Sequence, residues 1–128
     1  MAKYLSPEWL ELHRELGADL PEVSGVTALV EQVVPGSPDG EVRYGLSYAD
    51  GRVVEATLGA VDDPDVSLTT KYPDAVKLLR GELDANAAFM SGRTKVAGST
   101  GKLLAMLALT GSPGYEAFRT ELAAATEV

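Results

Sequence analysis

Val42-Arg43-Tyr44-Gly45-Leu46-Ser47-Tyr48-Ala49-Asp50-Gly51-Arg52-Val53-Val54-Glu55-Ala56-Thr57-Leu58 is the stretch that decides the fold. Val42, Tyr44, Leu46 and Tyr48 alternate with Arg43, Gly45 and Ser47, a period of two that belongs to a half-buried strand. Asp50-Gly51 is the dipeptide of a two-residue hairpin turn, because both positions tolerate positive φ. Past it, Val54, Ala56 and Leu58 fall on one side and Glu55 and Thr57 on the other. The chain here is an antiparallel hairpin with one apolar face.

Strands extend to both sides of this hairpin. Val26 to Val34 is rich in β-branched residues, with Ala28, Val30, Gln32 and Val34 on one face. Pro35 to Gly40 is a turn cluster. Beyond Leu58, Asp62-Asp63-Pro64 turns the chain into a short strand carrying Val66, Leu68 and Thr70. At the N-terminal end the period is helical instead. Ser6 caps a helix and Pro7 fits its first turn, where no N–H partner is needed. Leu5, Trp9, Leu12, Leu16 and Leu20 form its stripe, and Gly17 ends or loosens it. On the C-terminal side, Tyr72 to Arg80 reads as a helix stopped by Gly81. Asp84 caps a second, short helix that runs to Met90. Arg93 to Ala97 is a last short strand. Thr100 to Leu109 is helical, and Ser112 caps a final helix with Tyr115, Phe118 and Leu122. The expectation is an α+β fold, one antiparallel sheet with helices packed on its apolar face, in a single domain over 1–128.

Composition narrows the function. The chain has 128 residues, 19 acids against 11 bases, a net charge of −8 and 45% hydrophobic residues. Such a surface repels phosphate backbones, so nucleic acid is not an expected partner. An anionic bilayer is met weakly for the same reason. Leu103 to Leu109 is the longest apolar run, far short of the ~20 residues of a spanning helix, so no stable membrane insertion is expected. There is no Cys and one His, which excludes thiol catalysis, disulfides and thiolate or His-rich metal sites. A cytoplasmic location fits the missing thiols.

Few motifs carry chemistry. Gly98-Ser99-Thr100-Gly101-Lys102 has Val96 and Leu103 where a phosphate loop needs Gly and Ser or Thr, so it reads as a helix-capping turn. His13, beside Arg14 and Glu15, reads as a surface histidine rather than a general base. Asp62, Asp63 and Asp65 lack the ligand pattern of a calcium loop and read as a turn whose carboxylates bond backbone N–H groups. No Ser sits in a nucleophile elbow. Neither a catalytic residue nor a metal or cofactor is expected.

The segment from Asp65 to Leu107 resembles the sterol carrier protein type two, or non-specific lipid-transfer, family. The likeness is carried by Asp65-Val66-Ser67-Leu68-Thr69 and by Leu79-Arg80-Gly81-Glu82-Leu83-Asp84. It continues through Ala87-Ala88-Phe89-Met90-Ser91-Gly92-Arg93-Thr94-Lys95-Val96-Ala97-Gly98 into a helix with Lys102, Leu103, Met106 and Leu107. Arg93 stands where the family's block usually has Lys. The resemblance implies a five-stranded, mainly antiparallel sheet covered by helices. It also implies an apolar tunnel between them for a sterol, fatty acid or acyl-CoA. The expected lining is Leu46, Val54, Leu68, Val76, Leu79, Phe89, Met90, Leu103, Leu107 and Phe118. Burying a lipid chain there gains about 0.8 kcal/mol per CH₂. Two other functions compete. One is a protein-interaction or accessory module with the same fold and a filled core. The other is an enzyme on an acyl or steroid substrate, which would need polar groups of shifted pKa inside the pocket; His13 and Tyr44 are its nearest candidates.

Overall fold

A computed structural model describes residues 1–128. The element order is β1 (Ala2–Lys3), α1 (Pro7–Gly17), β2 (Ala28–Ser37), β3 (Gly40–Ala49), β4 (Arg52–Leu58), β5 (Val66–Thr70), α2 (Tyr72–Arg80), α3 (Ala85–Met90), β6 (Thr94–Gly98), α4 (Thr100–Thr110), α5 (Pro113–Ala124) and β7 (Thr126–Glu127). Strands β2 to β6 form one sheet in the order β4-β3-β2-β5-β6. Only β2 and β5 run parallel; the other three pairings are antiparallel. This is the α+β, mainly antiparallel architecture that the alternation predicts. The two-residue strands β1 and β7 pair in parallel and tie the chain ends together, a contact too short to leave a sequence pattern.

The capping residues sit as expected. Ser6 Oγ accepts from Trp9 N at 3.1 Å, Asp84 from Ala87 N at 3.1 Å, and Ser112 from Tyr115 N at 3.3 Å. Ser99 Oγ accepts from Lys102 N at 3.3 Å, so the glycine-rich turn is a helix cap and not a phosphate cradle. Asp50 and Gly51 have φ of 49° and 84°, the two positive values of a type I′ hairpin turn. Pro35 to Ser37, expected in a turn, instead prolong β2; the bend is confined to Pro38-Asp39.

On the far face of the sheet the loop after β4 is held against Glu31. Glu31 accepts hydrogen bonds from Val61 N at 3.0 Å and Ser67 Oγ at 2.9 Å. The backbone donor, then Ser67 and Arg43, hold its carboxyl below the usual range despite burial. Asp65 accepts from Leu29 N at 2.8 Å, so one carboxylate of the acidic turn bonds a backbone N–H across to β2.

Hairpin β3–β4 carries a bulge that corrects one expectation. Ser47 pairs with Glu55, yet Tyr48 pairs with Val53. The extra residue, Val54, is pushed out of the ladder. Val53 therefore takes the inward position at 1% exposure, and Val54 stands 55% exposed. Ala56 and Leu58 keep the face expected of them, opposite Leu46 and Tyr44, although Leu58 lies on the edge strand and is half exposed.

Inward Val53 also explains why α1 carries Gly17. A Cβ added there would lie 2.5 Å from Val53 Cγ2 and 2.7 Å from its Cβ. The branch point of valine cannot swing aside. Gly17→Ala should thus destabilise the fold by about 1–3 kcal/mol through overpacking, even though alanine is the better helix former. Urea unfolding would measure this. Adding Val53→Ala should recover part of the loss, and additive losses would show that the two sites are independent.

Candidate lipid-binding cavity

All five helices lie on the sheet face that carries Val30, Gln32, Tyr44, Leu46 and Leu68. Cross-strand registers place Leu58, Tyr44, Gln32, Leu68 and Val96 in one row, and Ala56, Leu46, Val30, Val66 and Gly98 in the next. At the β3–β4 side the helices close on this face. Trp9 is the anchor: its indole meets Tyr4, Tyr44 and His13 edge-on at centroid distances of 4.9, 5.5 and 5.3 Å. Its Nε1 donates to Thr126 Oγ1 at 3.0 Å, and that hydroxyl donates to Leu122 O at 2.6 Å.

Toward β5 and β6 the helices do not close. A cavity of about 270 Å³ lies between the sheet and the five helices, and 20 of its 29 bordering residues are hydrophobic. That volume is just below the ~300 Å³ at which small-molecule sites usually begin.

The expected lining divides cleanly. Leu46, Leu68, Leu79, Phe89, Leu103, Leu107 and Phe118 border the cavity. Val54 does not, because the bulge turns it out. Met90 does not either and is 83% exposed. Its helix has six residues, and at about 100° per residue the inward positions go to Ala88 and Phe89. Val76 is buried but outside the cavity; its neighbours Ala75 and Leu79 hold the inner edge of α2. Apart from His13 and Tyr44, already candidates in the sequence, the wall carries polar side chains that were not expected there. Gln32, Thr70, Tyr44, Tyr48 and Tyr115 all border the cavity. Gln32 was legible, since it shares a strand face with Val30 and Val34.

His13 is the largest correction. It is 5% exposed, borders the cavity and packs between Trp9 and the ring of Phe118, the latter at 5.2 Å. Its Nδ1 is enclosed and has no hydrogen-bond partner. The helix is turned so that Trp9, Leu10, His13 and Gly17 are its buried set, while Leu12 and Leu16 are only half buried. The spacing held the signal: His13 is four residues from Trp9 and seven from Leu20, on the inner face whatever its charged neighbours. Burial lowers its pKa from 6.5 to about 4, so it is neutral at physiological pH. Burial raises Tyr44 and Tyr48 well above the ordinary phenol value, with neighbouring tyrosines adding to the shift and no hydrogen bond opposing it. Tyr115 is pushed up to about 12.

Two of the polar groups that the enzyme reading required are thus in the wall. They do not form an acid–base pair. No carboxylate orients the imidazole, and a pKa near 4 makes it a weak base at neutral pH. Charged groups border the cavity only as Asp84, Glu116 and Arg119. Arg119 is committed elsewhere, donating to both Glu116 oxygens at 2.6 and 3.1 Å and to Leu79 O at 2.7 Å. No group of three His, Cys, Asp or Glu could hold a metal, and no helix is long and apolar enough to cross a membrane.

A buried neutral histidine gives a defined pH signature. Its folded pKa lies below its unfolded one, so the unfolded chain binds more protons between the two values. Stability should fall as pH drops from 6.5 to about 4, by up to about 3 kcal/mol, and change no further from this group below that. Urea unfolding across this range should show the slope, and the difference from His13→Phe should isolate it from the carboxylates. A variant whose profile parallels the parent would show that His13 does not titrate in this way.

Solved structures share the fold. A sterol carrier protein 2 crystal structure superposes with a TM-score of 0.74 at 15% identity, covering 91% of this chain and 98% of that one. A conserved hypothetical protein from Thermus thermophilus, described as possibly a sterol carrier protein, gives 0.67 at 14% identity, with 95% and 91% covered. Palmitated sterol carrier protein 2-like 2 from Aedes aegypti gives 0.63 at 16% identity, with 84% and 96% covered. No curated protein matches the chain in sequence. The model of the SCP-2 sterol transfer family matches residues 11–110, which include most of α1, the whole five-stranded sheet and α4, and the chain belongs to that family.

Proposed function

We propose that residues 1–128 act as one lipid-binding domain that holds an apolar ligand in the cavity between sheet and helices. The observation that carries this reading is the cavity itself, about 270 Å³ with a mostly hydrophobic wall. A core closed by its own side chains has no such space, which counts against the filled-core interaction module. Family membership and the palmitated relative point to the same class of ligand. Binding needs no catalytic group. Each CH₂ moved from water into the wall contributes about 0.8 kcal/mol, so a chain of moderate length reaches micromolar affinity after the cost of immobilising it.

Native mass spectrometry of freshly purified protein and displacement of a fluorescent fatty acid would test it. The expected result is a co-purified lipid mass and saturable displacement at micromolar protein. A filling variant should separate cavity from fold. Leu107, half-buried on α4 at the cavity wall, can be enlarged toward the space. Leu107→Trp should weaken binding at least about tenfold while melting stays near the parent value. Unchanged binding by a folded Leu107→Trp would move the ligand to another place.

A further inference from the structure

The acids of this chain are unevenly placed. All 19 lie outside the stretch from Ala85 to Tyr115, which holds three bases, Arg93, Lys95 and Lys102. In the fold this stretch is α3, the edge strand β6, α4 and the start of α5. Helix α3 packs on both β6 and α4, so the three elements make one side of the molecule. Acids that flank it are engaged. Asp74 lies 3.9 Å from Arg93, Asp84 caps α3, and Asp65 accepts from Leu29 N. Lys102 donates to Thr27 O, and Lys95 is exposed.

The same side is apolar where a surface is normally polar. A helix that is apolar all round belongs in a core or in lipid. Lys102 is the one charge on α4, yet the helix lies at the surface, with Leu104 60% exposed and Ala108 exposed as well. Met90, at the end of α3, is 83% exposed. Exposed apolar side chains elsewhere stand beside acids: Val23 follows Glu22, Val54 precedes Glu55 and Val128 follows Glu127. Met90 and Leu104 have bases near them in the chain and no acid. The inward residues of the same helices, Phe89, Leu103 and Leu107, border the cavity. The exposed apolar surface is thus the outer side of the cavity wall.

We propose that the side formed by α3, β6 and α4 docks on an anionic lipid bilayer, with Leu104 and Met90 entering its interface and the three bases as a rim facing the headgroups. Apolar side chains accompanied by bases suit such an interface. The acids elsewhere are repelled by the same bilayer, so the net charge of −8 keeps the contact weak and turns this side toward it. The inference rests on charge and exposure and stands apart from the lipid-binding reading.

The chain has no Cys, so a single introduced thiol can carry an environment-sensitive nitrobenzoxadiazole dye. Leu104→Cys reports the proposed side, and Val54→Cys, 55% exposed on the opposite edge strand, is the control. The probes are phosphatidylcholine vesicles with and without phosphatidylserine. The parent should co-sediment with the phosphatidylserine vesicles at low salt and be released at high salt. Dye emission should rise and shift to the blue at position 104 and stay unchanged at 54. Leu104→Glu should weaken vesicle binding at least about tenfold, and Lys95→Gln about three- to fivefold. Neither residue borders the cavity, so both variants should melt near the parent and displace a fluorescent fatty acid as it does. Absence of co-sedimentation overturns the proposal, as does equal binding to both kinds of vesicle. So do equal dye responses at 54 and 104, or a folded Leu104→Glu that binds vesicles unchanged. A dye response at 104 that follows protein concentration without vesicles overturns it in favour of a second copy of the chain. All of these leave fatty-acid displacement intact, whereas vesicle docking without displacement would remove the lipid-binding reading and keep this one.

Discussion

The indole of Trp9 is the point on which the rest of the structure turns. It closes the helical layer onto the sheet at one side through three edge-on aromatic contacts. Its N–H reaches Thr126, which in turn bonds the end of α5. One side chain thus joins the first helix, the central hairpin and the last helix. Aromatic pairs of this geometry contribute about 0.5–1.5 kcal/mol each beyond burial. With that side fixed, the short helices α2 and α3 and the helix α4 span the remaining face from the other side, and they are too few to fill it. The cavity is the uncovered remainder of an apolar sheet.

The sequence made the layer order legible and left its inner geometry hidden. Alternation in Val42 to Tyr48, the Asp50-Gly51 turn and the capping serines are local signals, and local signals survive folding. Val54 shows where they stop. A bulge is a property of two strands in register, and nothing in β4 alone marks which of Val53 and Val54 is expelled. Met90 shows a second limit. Six residues make too little helix for a period to be read, so inner and outer positions cannot be told apart before packing is known. His13 is a different case. Its four-residue spacing from Trp9 places it on the inner face, whereas its residue type and charged neighbours point outward.

The two faces of the sheet handle buried polarity in opposite ways. On the far face, Glu31 is a charged carboxylate, and two hydrogen bonds plus Arg43 keep it ionised. That network pins the loop after β4 to the sheet. On the cavity face the polar groups are neutral: His13, Tyr44 and Tyr48 are buried and Gln32 and Tyr115 half-buried. Desolvation disfavours charging the imidazole and the phenols, since an unpaired buried charge is costly. The cavity wall is neutral apart from Asp84, Glu116 and Arg119 at its border, while the far face buries one ionised carboxylate.

Such an interior lowers stability when nothing else lies against it. A cavity lined by Leu46, Leu68, Leu103 and Phe118 forgoes the dispersion contacts that close packing supplies, and an unpartnered His13 nitrogen adds a desolvation penalty of about 1–3 kcal/mol. Both losses could be removed by filling the space with larger apolar side chains, as most cores of this size do. A molecule that binds the folded chain recovers them instead, and by mass action it stabilises the fold in proportion to the logarithm of its concentration over Kd. The same atoms then serve two ends. A deficit in packing of this kind is what an apolar guest chain would satisfy. Stability and binding are linked through one set of side chains, so changes that improve the empty fold by closing the gap act against the guest.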